Sequence, residues 1–473
     1  VRDIGRYFSV PMEIVERAAE SEDPEILEEF FTYCRAGRGM ASPLIGVDDA
    51  KEAYNAMLGQ VRHKGKHAGG VVIADGSIPV PVEGGVVAWT EGSKKELSSV
   101  GFVKFDILGV NSLSQLRAME KLTGKVAGNP WDADSGPVFD LFCSGDLAGI
   151  FQFSGSSGIV KLTIDVAPRS LADLGGINAV YRPGPIDSGM AKQFPELKKS
   201  GGRSFHPDID KILEETYGVI VYQEQVMSIV SLVTGGNLEE ADNVRKIISK
   251  GKAGDVKWQK KMQELEVHFK TEGHKRFPVK LIDMLWGEIV TFGRYGFNKS
   301  HSMAYSLLAY QMAWFKTYYP GAFYTALLNF DPENVETWVY DAALHGIDVV
   351  PPHINESGVD WVLDGETIYA PLSVVNYFGE KGAKAVVDYR EANGKFKLIE
   401  DLGKLPKREV NIRAKKLLYY AGAMRGMDGD IKKLIPDFNE LPVLSDAQSQ
   451  RESMGFVLPT DEIIEFIKKK KKR

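Results

Sequence analysis

Tyr295–Gln311 reads YGFNKSHSMAYSLLAYQ. Its first half crowds Asn298, Lys299, Ser300, His301 and Ser302 into consecutive positions, and its second half turns apolar and aromatic. A polar cluster at a helix start, with donors facing outward, suits an anion or a nucleobase. The structural alternative is a helix cap made by Ser300 or Ser302, with a satisfied His301 beside it. The apolar half predicts a helix over residues 302–328, rich in Tyr, Trp and Leu. Upstream, Val219–Val233 reads as a strongly apolar helix, broken at Gly235–Gly236 and resumed over Leu238–Ile248. Residues 150–345 are thus mostly helical. Towards the N-terminus, Val71–Ala74, Gly85–Trp89 and Val100–Leu108 are three short strands separated by turn residues, which predicts one small sheet. Leu113, Leu116, Met119 and Leu122 open a helix after Gly109. Residues 13–30 carry eight acids against the single base Arg17 and read as exposed helices broken at Pro24. Pro351–Pro352 marks a boundary, beyond which Ile368–Leu372 is strand-like and residues 378–424 are helical. The fold class is α+β, predominantly helical.

A length of 473 residues, at roughly 100–200 per domain, predicts two to four domains. With 44% hydrophobic and 26% charged residues, global disorder is excluded. No apolar run reaches about 18 residues, so no membrane span is expected. The acidic N-terminus is no signal peptide, and Val1 in place of Met marks a processed, spliced or truncated piece of something longer. Cys34 and Cys143 cannot make a zinc site by themselves and suit a reducing, cytoplasmic compartment. A net charge of −6 speaks against nucleic acid only if charge is spread evenly. It is not: residues 244–316 hold fourteen Lys/Arg against six Asp/Glu, a footprint for phosphate or, more plainly, a set of solvated helix faces.

Four further constellations could carry chemistry. Lys104-Phe105-Asp106 ends an apolar strand, and residues two apart share a strand face. Such a pair could hold a metal and a phosphate together, or be a surface ion pair. Arg245 and Lys246, with Lys250 and Lys252, form a basic helix able to clamp a triphosphate, or only to face water. Tyr181-Arg182-Pro183-Gly184-Pro185 presents an arginine from a rigid turn, which a neighbouring carbonyl or carboxylate could equally hold. Phe378-Gly379-Glu380-Lys381-Gly382-Ala383 precedes a helix and resembles the hairpin of a helix-hairpin-helix element, whose backbone N–H groups hold a DNA phosphate without reading sequence. Two decoys are set aside. Gly59 to Lys66 fails the phosphate-loop pattern in glycine spacing and in carrying His67. Asp208 and Asp210 belong to a helix start.

The order of the motifs is more specific than any one of them. HAGGVVIA (67–74), VKFDILG (103–109), GIFQF (149–153), YRPGP (181–185), TYGVIVYQEQVM (216–227), RKIISKGK (245–252) and YGFNKSHSMAYSLLAYQ (295–311) form a series that resembles C-family bacterial replicative DNA polymerases, the DNA polymerase III alpha subunits, over roughly residues 1–460. The resemblance implies part of a polymerase β-like nucleotidyltransferase palm with thumb and large helical fingers. It places the thumb portion at 1–65, the C-terminal part of the palm at 66–110, the fingers at 111–345, outer fingers with the helix-hairpin-helix-like element at 346–440, and a linker with a basic tail at 441–473.

The resemblance also implies roles. Asp106 matches the third of three palm aspartates that bind two Mg2+ ions, and Lys104 would contact the phosphates of the incoming dNTP. Arg245 and Lys246 match the basic pair of the fingers, with Arg182, Asn298, Lys299 and His301 close to the nucleotide. Gly379, Lys381 and Gly382 would meet primer-template DNA, although Tyr377 stands where the family usually has a glycine. The other two aspartates, with the N-terminal PHP domain, precede the segment that Val1–Arg6 resembles. The implied function is dNMP transfer to a primer 3′-OH, inactive without an N-terminal fragment, in a split polymerase that meets a sliding clamp through another segment. The rival is a non-catalytic DNA-binding or replisome-assembly factor derived from a polymerase. The duller alternative is that the chain is an incomplete stretch of one ordinary polymerase.

Overall fold

A computed structural model describes residues 110–250, 256–293 and 295–471 continuously, and of the first 109 residues 1–8, 10, 14–15, 18–19, 24–36, 47–57, 70–73, 77–80, 82–83, 85–87, 97, 99–107 and 109. The chain is α+β and predominantly helical, in two compact units, Val1–Gly109 and Val110–Arg473.

In the first unit, helices Arg2–Tyr7, Pro24–Ala36 and Val47–Met57 close over a core that includes Ile4, Phe8, Val15, Phe30 and Cys34. Pro24 opens its helix, where its missing N–H costs nothing. Burial pushes the Cys34 thiol up to about 11, so it stays protonated and inert at neutral pH. Strand β1 (Gly70–Val72) pairs antiparallel with β4 (Lys104–Asp106), setting Gly70 opposite Asp106 and Val72 opposite Lys104. Strands β2 (Val82–Glu83) and β3 (Val86–Val87) make a separate ladder. The single sheet expected here is therefore two ladders among the described residues. The middle stretch folds back on its own neighbour through Gly85, whose φ of 77° suits a hairpin.

The second unit has two apolar cores. Through the larger runs the helix Lys299–Tyr318, packed against helices Asn111–Thr123, Gly136–Ser144, Leu171–Val180 and Pro320–Phe330. Leu308, Ala309, Tyr310, Met312, Ala313 and Phe315 of it are buried, as expected for a helix apolar on most sides. The helix expected to reach residue 328 is two helices. Pro320 cannot donate an N–H and blocks the preceding turn, so one helix ends and another starts with proline in its first turn. The smaller core, with Val226, Ile229, Phe269, Ile282 and Trp286, lies among helices Gln223–Thr234, Leu238–Lys250, Val256–Gly273 and Val279–Gly293. Here too a boundary differs from the reading. Val219–Val221 is outside any helix, because a β-branched run takes an extended path, and Tyr222 forms a parallel bridge to Phe297. Beyond Leu344, β5 (Asp348–Val350) runs parallel to β7 (Thr367–Tyr369), which pairs antiparallel with β6 (Val362–Asp364). The sheet spans Pro351–Pro352, and helices Gly379–Asn393 and Ile412–Tyr420 follow. No helix of the described residues is long and apolar enough to cross a membrane.

Lys316 has a fully buried side chain. Its ammonium lies 2.9 Å from Asp146, 3.0 Å from the Ala148 carbonyl and 3.2 Å from Asp341. His345 reaches Asp146 at 2.6 Å, and the Tyr324 hydroxyl donates to Asp341 at 2.6 Å. Burial works to raise the Asp146 pKa, but the His345 hydrogen bond and the Lys316 charge outweigh it and hold the carboxyl well below its usual range. Burial works to lower the His345 pKa, but bonds to Asp146 and to the Asp341 carbonyl, with the Asp146 charge, raise it. The Asp146 contribution to stability is present above the pKa of an unfolded aspartate, about 3.9, and fades as pH falls below it. The His345 contribution is complete below about pH 6.5 and fades as pH rises through the raised folded value. Urea unfolding across roughly pH 2–9 is expected to show greatest stability between these limits, with His345→Gln removing the alkaline loss and reducing the acid one, since its bond to Asp146 is lost too. Lys316→Met leaves the buried Asp341 and the half-buried Asp146 without their ammonium and is expected to cost about 3–5 kcal/mol in the same assay.

Candidate functional site

Segments remote in sequence meet around one cavity of about 350 Å3, lined by Gln152, Ser156, Tyr181, Arg182, Phe297, His301 and Tyr305, with Asn178 and Ser302 behind them. Two buried bonds fix its frame. Ser302 donates to the Gly175 carbonyl at 2.8 Å, and the Asn178 amide donates to Ser306 at 2.9 Å. The proline-rich segment, expected as a turn, is a short helix, Pro183–Asp187, with proline in its first turn; it packs on the Tyr295 ring, where a Cβ on Gly184 would lie 2.2 Å from a ring carbon. Glycine is thus required by close approach.

Arg182 is half-buried and held by carbonyls, as its structural alternative supposed. Nε donates to Ala179 at 2.9 Å and Nη2 to Tyr295 at 2.6 Å. Its guanidinium lies over the Phe297 ring at 4.4 Å. Burial lowers its pKa, yet an arginine stays charged at neutral pH. His301 stacks on Tyr305 with ring centres 4.0 Å apart and meets Phe297 edge-on at 5.4 Å. The cavity therefore joins a flat aromatic wall to a fixed cation, a combination that favours a planar or anionic ligand.

Arg245 belongs to the same neighbourhood through one side chain. Asp242 holds it at 2.8 Å from Nε and 2.7 Å from Nη2, and Nη1 donates to Gln223 at 3.2 Å. Gln223 donates in turn to the Gly296 carbonyl at 3.0 Å and, through its backbone, to Phe297 at 2.9 Å. Lys246 is half-exposed and pairs with Asp242 at 2.6 Å.

Asn298 and Lys299 face elsewhere. Asn298 is the helix cap, accepting from the His301 N–H at 2.8 Å. Its extended backbone puts it at the N-cap position, so neither Ser300 nor Ser302 makes the cap. The Asn298 amide and the Lys299 N–H donate to Glu224 at 3.1 and 3.0 Å, and the Lys299 ammonium pairs with Glu215 at 2.6 Å. Lys299, Glu215 and Glu224 line a second hollow with Lys211 and Glu214. Lys299 and Lys316 are thus balanced by acids outside residues 244–316, so the cationic excess counted there overstates the free charge.

Gly379, Lys381 and Gly382 lie in the first turn of helix Gly379–Asn393. The missing Gly382 side chain makes room for the Phe378 ring, which a Cβ would meet at 2.8 Å. Lys104 and Asp106 are placed by their backbone in β4, and their side chains lie outside the described residues, as do the glycine decoy from residue 59 to 66 and His67. Asp208 and Asp210 sit in the first turn of a helix capped by His206, and Asp210 accepts from Phe205 at 2.7 Å. Among the described residues no group of three or more His, Cys, Asp or Glu is placed to hold a metal ion. Sequence reasoning did not single out Gln152, Gln223 or Tyr305. All three lie inside motifs quoted above, which was the available signal.

Fold and site together define a predominantly helical α+β protein with a helix-hairpin-helix element, since residues 346–434 match the helix-hairpin-helix motif. Residues 1–109 match the bacterial DNA polymerase III alpha NTPase domain, and residues 112–274 match the bacterial DNA polymerase III alpha subunit finger domain. The DNA polymerase III subunit alpha of Thermus aquaticus is 32% identical over 96% of this chain and 38% of its own length. That of Escherichia coli (strain K12) is 30% identical over 96% of this chain and 41% of its own. That of Aquifex aeolicus is 34% identical over 77% and 32%. The chain belongs to the DNA polymerase III alpha subunit family, and it spans about two fifths of the length of the first two of these curated relatives.

Asn298→Ala removes the cap of the central helix and is expected to cost about 1 kcal/mol in urea unfolding. Asn298→Asp still accepts from the His301 N–H and is expected to lose stability only through its partner Glu224, by losing the amide donor and adding a repelling charge.

Proposed function

We propose that these residues form the nucleotide- and DNA-binding part of a replicative DNA-directed DNA polymerase, which transfers dNMP from a dNTP to a template-paired primer 3′-OH. The observation that carries this reading is the meeting of Arg182, Phe297, His301 and, through Gln223, Arg245 in one neighbourhood of a chain from this family. In it Arg245 and Lys246 exchange their shared Asp242 for the triphosphate, whose greater charge competes for the same donors. The aromatic wall of Phe297, His301 and Tyr305 limits where a flat base can sit. Arg182 is a positioning residue that holds the Tyr295–Phe297 turn. Asn298 and Lys299 set the helix start through Glu224 and Glu215. Phosphoryl transfer asks of a protein mainly placement and charge.

The described residues do not by themselves make a metal site. Asp106 would be the one carboxylate from this chain, with Lys104 beside the phosphates. The others would come from a partner chain that carries the PHP domain and the first part of the palm. Two Mg2+ ions held there would offset phosphate charge and make the 3′-OH a better nucleophile. The helix start at Gly379 and Lys381 would hold the DNA backbone, and a sliding clamp would be met through another segment. The setting is the cytoplasm.

Primer extension tests the reading. The chain alone is expected to be inactive, addition of the partner to restore extension, and Asp106→Ala to abolish it. Arg245→Ala is expected to lower kcat/KM for dNTP roughly 10–100-fold, the worth of a charge-assisted hydrogen bond. Robust extension by the chain alone contradicts the partner requirement. DNA binding without extension, partner present, favours the assembly-factor reading.

A further inference from the structure

Tyr377 has a φ of 60°, a left-handed conformation that a tyrosine adopts only under strain. It gains little by packing, because it is 65% exposed. Its ring is covered by Arg413, whose guanidinium carbon lies 3.4 Å from the ring centre. That distance is a face-on stack. With one face of the ring covered and most of the residue in solvent, the opposite face is open.

The chain from Tyr377 through its stacking partner Arg413 is cationic. Residues 377–416 hold eleven Lys/Arg against six Asp/Glu. Lys384, Lys404 and Lys416 are paired with Asp388, Asp401 and Asp437. Lys381, Lys407, Arg408, Arg413 and Lys415 make no ion pair among the described residues. Burial first and the charge of Lys407 second lower the Lys415 pKa, so these two ammonium groups feel each other's charge. A rigid open ring among uncompensated cations is the arrangement that binds a strand by its bases and its phosphates together.

We propose that Tyr377, braced by Arg413, is a stacking platform for an unpaired base of a DNA strand, whose phosphates the neighbouring cations hold. The inference rests on the reading that this part of the chain meets DNA. A helix start can hold duplex phosphates without any ring, and paired bases inside a duplex offer no open face. The ring therefore favours an unpaired base, and its arginine brace keeps the plane rigid at small entropic cost.

The test titrates the full chain with a short labelled oligo(dT) and, separately, with a blunt duplex of the same length. Tyr377→Gly removes the ring and relaxes the backbone, since glycine takes this φ freely, so loss of binding is not loss of fold. It is expected to weaken oligo(dT) binding roughly 5- to 100-fold, to leave duplex binding unchanged, and to leave the salt slope unchanged because no phosphate contact is lost. Tyr377→Phe is expected to bind as the parent does, and Arg413→Lys to lose part of the oligo(dT) affinity while keeping the charge. Unchanged oligo(dT) binding by Tyr377→Gly, with duplex still bound, overturns this proposal alone. Equal losses for both DNAs overturn it as well. A parent chain that binds neither DNA overturns it together with the DNA-binding reading beneath it.

Discussion

A lysine ammonium buried in the last turn of a core helix must be neutralised where it stands, because an unpaired charge there costs several kcal/mol. Lys316 meets that constraint by drawing in Asp146 and the Ala148 carbonyl from one side and Asp341 from the other. Three pieces of chain are thereby tied to one point: the helix Lys299–Tyr318, the helix Val335–Leu344 and the loop after Ser144. The loop runs on within a few residues to Gln152, which holds a φ of 65° at the cavity wall. The helix runs back to Ser302, His301 and the Asn298 cap. One buried cation therefore anchors both a wall of the cavity and the helix whose other end presents the site.

The opposite end of that helix is governed by acids. Glu224 accepts from Asn298 and from the Lys299 N–H, which is where an anion belongs at a helix start. Asn298 and Lys299 are thus committed to setting the helix, while Arg182, Phe297 and His301 are left facing the cavity. Gln223 joins the two halves, since its backbone pairs with Phe297 and its side chain links Gly296 to Arg245. A basic helix in one core and an aromatic turn beside the other are coupled by a single amide.

Much of the fold was legible in the residue pattern. The α+β class and the helix from Leu238 followed from apolar spacing and glycine breaks. Two boundaries did not. Val219–Val221 and the following helix are equally apolar, and periodicity cannot tell an extended buried run from a helical one. Residues 302–328 looked continuous because the apolar pattern continues past Pro320, although proline chemistry argues for the break. Strands β1, β3 and β4 were visible, but β2 (Val82–Glu83) and the pairing were not, since register depends on contacts remote in sequence. At the site, Arg182, Arg245 and His301 were picked out by residue type and motif order, while the link through Gln223 exists only after folding. Lys316 was counted as surface charge because sequence alone does not show that Asp146 and Asp341 converge on it.

The account joins these particulars in one claim: that the turn at Arg182, the Gln223–Arg245 link and the Phe297–Tyr305 wall face a single nucleotide. Photo-crosslinking with an azide-bearing dNTP, in the presence of primer-template DNA and followed by peptide mapping, tests this most directly. The account predicts label in the peptides around Gln152–Arg182, Gln223–Arg245 and Phe297–Tyr305, chased by unlabelled dNTP. Label confined to other parts of the chain, or unaffected by the chase, would contradict it.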